Sequence, residues 1–580
     1  MRQHKTGLVL LALLLALAML AGCGGAGSGA QLFAHAYAEN TDRDAGEDMI
    51  PFDRIEYQRP DLFALRANVA AVKLALCSGD SYRTVTGFLD ACYEAYYRFQ
   101  TMYNLAYIRS CQDVTDDYYA AEYDWCEAQY STVSRIMEEM FSICGSSHMA
   151  SRLEESYFWE GFCEDYGDGY EATYDDELVE LMQRESGLLA QYRALAADSL
   201  PEEGDEGAYE IFAADYDQED REASVALLRR RNEALGRIFI QLVNTRQEMA
   251  RKLGFDSYEQ MQYAYSYERD YSPEDARAYM ADIKTYVVPL YREVMATDPY
   301  GRVHYDYLSE KRLHAILRSG AENMGSEIQE SFAFMSRYGL YDTAASAVKA
   351  ATSFQTYLDD YEAPFLFLDP YGDMEDVLTF SHEFGHYTDA YVNYNAPETI
   401  DVAETFSQAM EYLMLGYLDE TLSQSEVENL YRMKMLDTLE LYVQQASFTE
   451  FESLVYATDP EELSTDMLNR LSLQLAKEYG YCGSGDEEFY SLVWTSINHY
   501  FETPFYSIAY PVSNDIAMQI YEREQEQPGA GLETYLEILP RQYSGLVDTA
   551  LSGGLESPFA PGRIESVALD LRQRLLDEAA

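Results

Sequence analysis

The sequence predicts a mostly α-helical protein, on two observations. Long amphipathic stretches, such as 85–108 and 118–143, alternate with short polar breaks from Pro60 to about Leu200. Strand-like alternation of apolar and polar residues is scarce along the whole chain, and no internal repeat is present. At 580 residues the chain is long enough for more than one core. The run 201–207 (Pro-Glu-Glu-Gly-Asp-Glu-Gly) is the clearest linker, so the expected domains are 51–204 and 205–580.

In chain order, the first element is a leader. Arg2 and Lys5 precede an apolar run from Leu8 to Ala21, the layout of a secretory signal peptide over 1–22. That run is too short to span a bilayer, and no other segment has 18 uninterrupted apolar residues. Leu20-Ala21-Gly22-Cys23 resembles a bacterial lipobox, in which Cys23 is lipidated and becomes the new N-terminus. The Gly-rich stretch after it makes 23–50 a flexible tether. The expected location is the bacterial cell envelope, lipid-anchored on the extracytoplasmic side, with Cys23 the only membrane contact.

Composition narrows the partners. A formal charge of −60 argues against nucleic acid or anionic lipid as a partner. Acidic runs such as 164–168 and 215–222 read as solvated faces. Beyond Cys23, Cys77, Cys92, Cys111, Cys126, Cys144, Cys163 and Cys482 show no Cys-x-x-Cys spacing, so neither a structural zinc site nor a redox centre is indicated.

Chemistry concentrates in Thr379-Phe380-Ser381-His382-Glu383-Phe384-Gly385-His386. On a helix, positions i and i+4 lie one above the other, so His382 and His386 present two imidazole nitrogens to one metal. Glu383 is swung toward the same site without ligating, the placement of a general base for water. Imidazole and carboxylate ligands suit one Zn²⁺. With 8 His in 580 residues, a random His-Glu-x-x-His has odds on the order of 1%.

The flanks read as helix. Asp373 is the expected N-cap with Asp376 in a short capping box, and 395–397 (Asn-Ala-Pro) is the expected stop. Val377, Phe380, Phe384, Tyr387 and Tyr391 form an apolar stripe, with Asp389 either behind a ligand histidine or exposed. A catalytic zinc needs a third protein ligand. The next helix, read over 399–413, buries Val402, Phe406, Ala409 and Leu413. Glu404, Gln408 and Glu411 share its other face, so spacing leaves Glu404 and Glu411 as rivals.

On these residues the sequence resembles the thimet oligopeptidase and oligoendopeptidase F group of zinc metallopeptidases. His382-Glu383-Phe384-Gly385-His386 matches the first family motif, and 401–408 (Asp-Val-Ala-Glu-Thr-Phe-Ser-Gln) is similar to the second. The resemblance puts the third ligand on Glu404. Segments 246–255, 349–354 and 364–366 are similar to other family stretches, which extends the likeness over about 50–580. The connection between the two motifs is shorter than in the relatives. The resemblance implies a two-lobed helical zincin-type body, a deep substrate channel and one Zn²⁺ held by His382, His386 and Glu404.

The run 499–510 resembles the aromatic segment that faces the metal in oligoendopeptidase F, with one extra residue between His499 and Phe505. That likeness implies that His499, Tyr506 and Tyr510 contact the substrate carbonyl as it becomes tetrahedral, where fixed donors stabilise an oxyanion. With 52 Tyr in the chain, packing is the competing reading for both tyrosines. The expected function is zinc-dependent cleavage of internal bonds in short peptides. The alternatives are an aminopeptidase- or thermolysin-like zinc peptidase and a surface lipoprotein that binds peptides without cutting them.

Overall fold

The computed structural model describes residues 49–159, 161–167, 175–197, 218–395, 399–418, 421–540 and 545–577. The predicted leader, the lipobox, the tether up to residue 48 and the linker 201–207 lie outside the described residues. The described body begins inside the segment 23–50 expected to be tether. Met49 is buried in the main core, and the Phe52 ring lies 4.2 Å from that of Phe365. Two large apolar side chains so close together in sequence are pulled onto the body by the surface they remove from water.

Local signals set the first helices. Leu62–Ser78 starts where the Asp61 carboxylate accepts the Phe63 and Ala64 N–H groups, and ends at Gly79 with φ +70°. Ser81 caps Tyr82–Gln112, and Asp116 caps Asp117–Gly145. These three helices pack around a small core that includes Leu65, Val72, Leu89, Phe99, Met137 and Phe141. Leu153, Phe158, Phe162 and Tyr166 complete this small core, and most of the chain from Leu188 onward builds a second, larger one.

Tyr82–Gln112 joins the two lobes. Its 31 residues span about 46 Å. Val85, Leu89, Cys92, Tyr96 and Phe99 lie in the small core, whereas Met102, Leu105, Ile108 and Cys111 lie in the large one. Asn104 Nδ2 donates to the Tyr357 carbonyl, and the Ala350 N–H donates to the Cys111 carbonyl. From Asp176–Ala197, Leu188, Leu189 and Tyr192 also enter the large core, so the cores do not divide at residue 204.

A small sheet supports the site. Its strands β1 (Tyr341–Asp342), β2 (Phe354–Leu358) and β3 (Ala363–Phe367) lie in the order β1-β3-β2. β3 runs parallel to β1 and antiparallel to β2, with Gln355 opposite Leu366. All five β3 residues are buried, so both faces are apolar and no alternation marks it in sequence. Lys349 is buried and donates to Asp342 Oδ1 and to the Asp342, Ala344 and Leu368 carbonyls, tying the ends of β1 and β3.

β3 packs on the motif helix Asp376–Asn393, which packs on the second helix Ile400–Leu415, which in turn packs on Ala509–Glu526. Among the described residues, no helix is long and apolar enough to cross a membrane. The seven described cysteines are free, and burial pushes the Cys92 and Cys111 thiols up to about 12, which makes them poor nucleophiles.

Candidate metal centre

The motif helix begins two residues later than its sequence suggests. It starts at Asp376, and no side chain caps it. Asp373 Oδ1 accepts the Glu375 N–H, within a turn ahead of the helix. The Asp376 carboxylate turns back to accept the Tyr371 and Gly372 N–H groups, 2.8 Å each. The expected capping box is therefore replaced by a loop clamp. At the other end Tyr394 and Asn395 adopt left-handed backbone, with φ +52° and +54°. Residues 396–397 of the expected stop lie outside the described residues.

His382 and His386 face one another with ring centroids 4.9 Å apart. Glu404 Oε2 lies 3.4 Å from His382 Nε2 and 3.7 Å from His386 Nε2. One donor atom from each of the three residues falls within 4.8 Å of the others. Gly385 makes this crossing possible. A Cβ there would stand 2.5 Å from Ser407 Cα and 2.6 Å from the Phe406 carbonyl oxygen. The glycine of the motif thus lets the two helices that carry the donor atoms touch backbone to backbone.

The donors fit a metal. Glu383 and Glu404 are fully buried, and His382 and His386 nearly so. His382 Nε2 and both Glu383 oxygens are buried without a hydrogen-bond partner. Buried polar atoms are rarely left unpaired, and two imidazoles with a carboxylate are the donor set Zn²⁺ takes.

Glu411, the rival for third ligand, takes a different place. Its Oε1 accepts from His382 Nδ1 at 2.8 Å, and its Oε2 accepts from Lys434 Nζ at 2.7 Å. Holding Nδ1 in this way fixes the ring and leaves Nε2 directed toward Glu404. Burial opposes ionisation of Glu411, but Lys434 and His382 outweigh it and hold the carboxyl below its ordinary range. Burial also opposes charge on His382, yet the Glu411 hydrogen bond and the Glu404 charge raise it to about 9. His386 is held well below the ordinary imidazole range by burial and by His382. Burial pushes Glu383 up to about 8, with His382 opposing and Glu404 and Glu411 adding. Asp389 is buried rather than exposed, and its Oδ1 accepts from Asn393 Nδ2.

The opposite side consists of the short helix Asn498–Glu502, a turn, and Ala509–Glu526. His499 Nδ1 lies 2.5 Å from Thr503 Oγ1, and its Nε2 lies 3.4 Å from the Tyr510 hydroxyl. Burial lowers His499 to about 3, so this imidazole stays neutral near pH 7. Its ring stacks on Tyr506 with centroids 4.7 Å apart. Tyr506 donates its hydroxyl to Glu404 Oε1 at 2.5 Å. All seven candidate residues therefore lie in one region of the structure, but the tyrosines differ: Tyr506 contacts the Glu404 carboxylate, Tyr510 the histidine.

Several supporting residues escaped the sequence reading. Arg246 is fully buried and donates to the Tyr500 and Phe501 carbonyls, which hold the His499 helix. Gln408 Nε2 donates to the Tyr510 carbonyl and to Ser513 Oγ, tying the second helix to Ala509–Glu526. Thr503 and Lys434 carry no motif of their own. Glu411 did leave a signal, seven residues after Glu404 on the same helix face.

The family profile for the peptidase M3 N-terminal domain matches residues 52–162, and that for peptidase family M3 matches 334–544; together they cover over half the chain. Among solved structures the chain is similar to Pz peptidase A with inhibitor 2, at 21% identity and TM-score 0.78, over 91% of this chain and 99% of that one. A Bacillus anthracis str. Ames protein assigned as an oligoendopeptidase F matches at 22% identity and TM-score 0.72, over 92% and 98%. Oligoendopeptidase-F from Enterococcus faecium matches at 17% and 0.56, over 89% and 96%. At these identities the structures establish the helical fold. No curated protein matches the chain. The family profiles, set on this fold and this donor cluster, establish that the chain is a metallopeptidase of peptidase family M3.

Proposed function

We propose that the protein is a zinc-dependent endopeptidase that cleaves internal bonds of short peptides. The observation that carries this reading is the convergence of His382, His386 and Glu404 donor atoms beside the unpartnered carboxylate of Glu383. Zn²⁺ bound there supplies Lewis-acid polarisation of the scissile carbonyl and makes water more acidic. Glu383 takes the proton of the attacking water and passes it to the leaving amine. In the tautomer in which Thr503 donates to Nδ1, neutral His499 carries its proton on Nε2 and, with Tyr510, faces the developing oxyanion.

The test uses a quenched fluorescent peptide blocked at both ends. Cleavage that stops on chelation and returns with zinc supports the reading. A requirement for a free amino terminus would favour an aminopeptidase, although the family match speaks against that alternative. Binding without turnover would favour a peptide-binding lipoprotein, for which an intact general base has no use.

The lipid anchor at Cys23 belongs to the same proposal. Its support is the sequence alone: basic residues, the apolar run from Leu8 to Ala21 and the Leu-Ala-Gly-Cys junction. Cys23→Ser should release the protein from the membrane fraction or leave it unprocessed. Identical partitioning and migration of wild type and variant would rule the anchor out.

A further inference from the structure

Phe505 stands in the left-handed region at φ +65°, although it is a fully buried aromatic residue. Such a conformation costs a side-chain-bearing residue free energy and persists only where its surroundings over-determine it. Here they do. Glu452 Oε1 accepts the Phe505 N–H at 2.9 Å, and the Tyr267 hydroxyl donates to the neighbouring Pro504 carbonyl at 3.0 Å. The Phe505 ring is packed against Tyr456, Tyr258 and Tyr263. The next residue is Tyr506, whose hydroxyl meets Glu404 Oε1, while Ser407 Oγ donates to Glu404 Oε2. The strained turn thus determines where the Tyr506 hydrogen bond to Glu404 originates.

We infer that Glu452 is a positioning residue of the metal centre: it holds Phe505 in the left-handed turn and thereby presents the Tyr506 hydroxyl to Glu404. Glu452 sits on the helix Gln424–Tyr456, which also carries Lys434, the partner of Glu411. One helix therefore supports Glu404 through Tyr506 and His382 through Glu411. Burial pushes Glu452 up to about 8, so a neutral amide is close to its resting form near pH 7. The inference rests on Glu404 being a metal ligand, as proposed above.

The experiment measures zinc dissociation constants by chelator competition in the full chain, with Glu404→Ala as control. Glu452→Gln keeps an oxygen acceptor and should stay within about 3-fold of wild type, whereas Glu452→Met removes the acceptor at similar size and should weaken zinc by about 10-fold or more. Tyr506→Phe should weaken zinc as well, and the Glu452→Met/Tyr506→Phe double variant should be no weaker than Tyr506→Phe alone. A merely structural Glu452 would lower the melting temperature of the metal-free protein and leave zinc affinity unchanged, which overturns the inference. Losses that multiply in the double variant overturn it as well. If Glu452→Met does not fold, Tyr267→Phe carries the test, since it removes only the hydroxyl on Pro504; unchanged zinc affinity there is contrary evidence. Retention of zinc by Glu404→Ala would instead break the ligand assignment beneath.

Discussion

On one side of the metal centre, His382, Glu383, His386 and Glu404 sit on two unbroken helices that meet at Gly385. On the other, His499, Tyr506 and Tyr510 are spread over a short helix, a turn with one left-handed residue and the first turn of another helix. Along a continuous helix, spacing in sequence is direction in space. Across a break it is not. Tyr506 and Tyr510 are four residues apart, which on one helix would aim them alike. Because Tyr506 precedes the helix that begins at Ala509, its hydroxyl goes to Glu404 while that of Tyr510 lies near His499.

The comparison has consequences that mutation separates. Glu383→Gln removes the proposed base from the regular side, and turnover of a blocked peptide should fall by about 10²–10⁴ with zinc content unchanged. A loss of zinc in this variant would mean that Glu383 ligates instead. On the broken side, Tyr510→Phe should lower kcat by roughly 10²–10³ with little change in KM or zinc affinity. Tyr506→Phe should act first on zinc affinity; identical behaviour of the two variants would erase the distinction between the tyrosines.

Smaller effects probe the supports. Glu411→Ala frees the His382 ring and should weaken zinc by about 10–100-fold without abolishing binding at saturating metal. Gly385→Ala drives a Cβ into the Ser407 and Phe406 backbone, and overpacking of this kind should cost roughly 1–3 kcal/mol in chemical denaturation. Wild-type stability would show that the two helices can separate without penalty.

The regular side was also the legible one. His-Glu-x-x-His and the second motif each carry their geometry in their spacing, and the helix periods around them were visible. Glu404 and Glu411 could not be ranked by spacing, because both lie on the face toward the histidines. What separates them is Lys434, from a third helix, which draws Glu411 to the far side of His382. The start of the motif helix was misread because Asp373 and Asp376 are good capping residues that here serve the preceding loop. β3 left no alternation to read, since both of its faces are buried. Arg246 lay in plain sight within 246–255, but a buried arginine reveals its role only through the carbonyls it meets, and those lie some 250 residues on, at Tyr500 and Phe501.

The most direct test of the metal centre is zinc stoichiometry in wild type, Glu404→Ala and Glu411→Ala, measured side by side at saturating zinc. The expected result is one ion per chain in wild type and in Glu411→Ala, and none in Glu404→Ala. Equal retention in the two variants would contradict the ligand set of His382, His386 and Glu404.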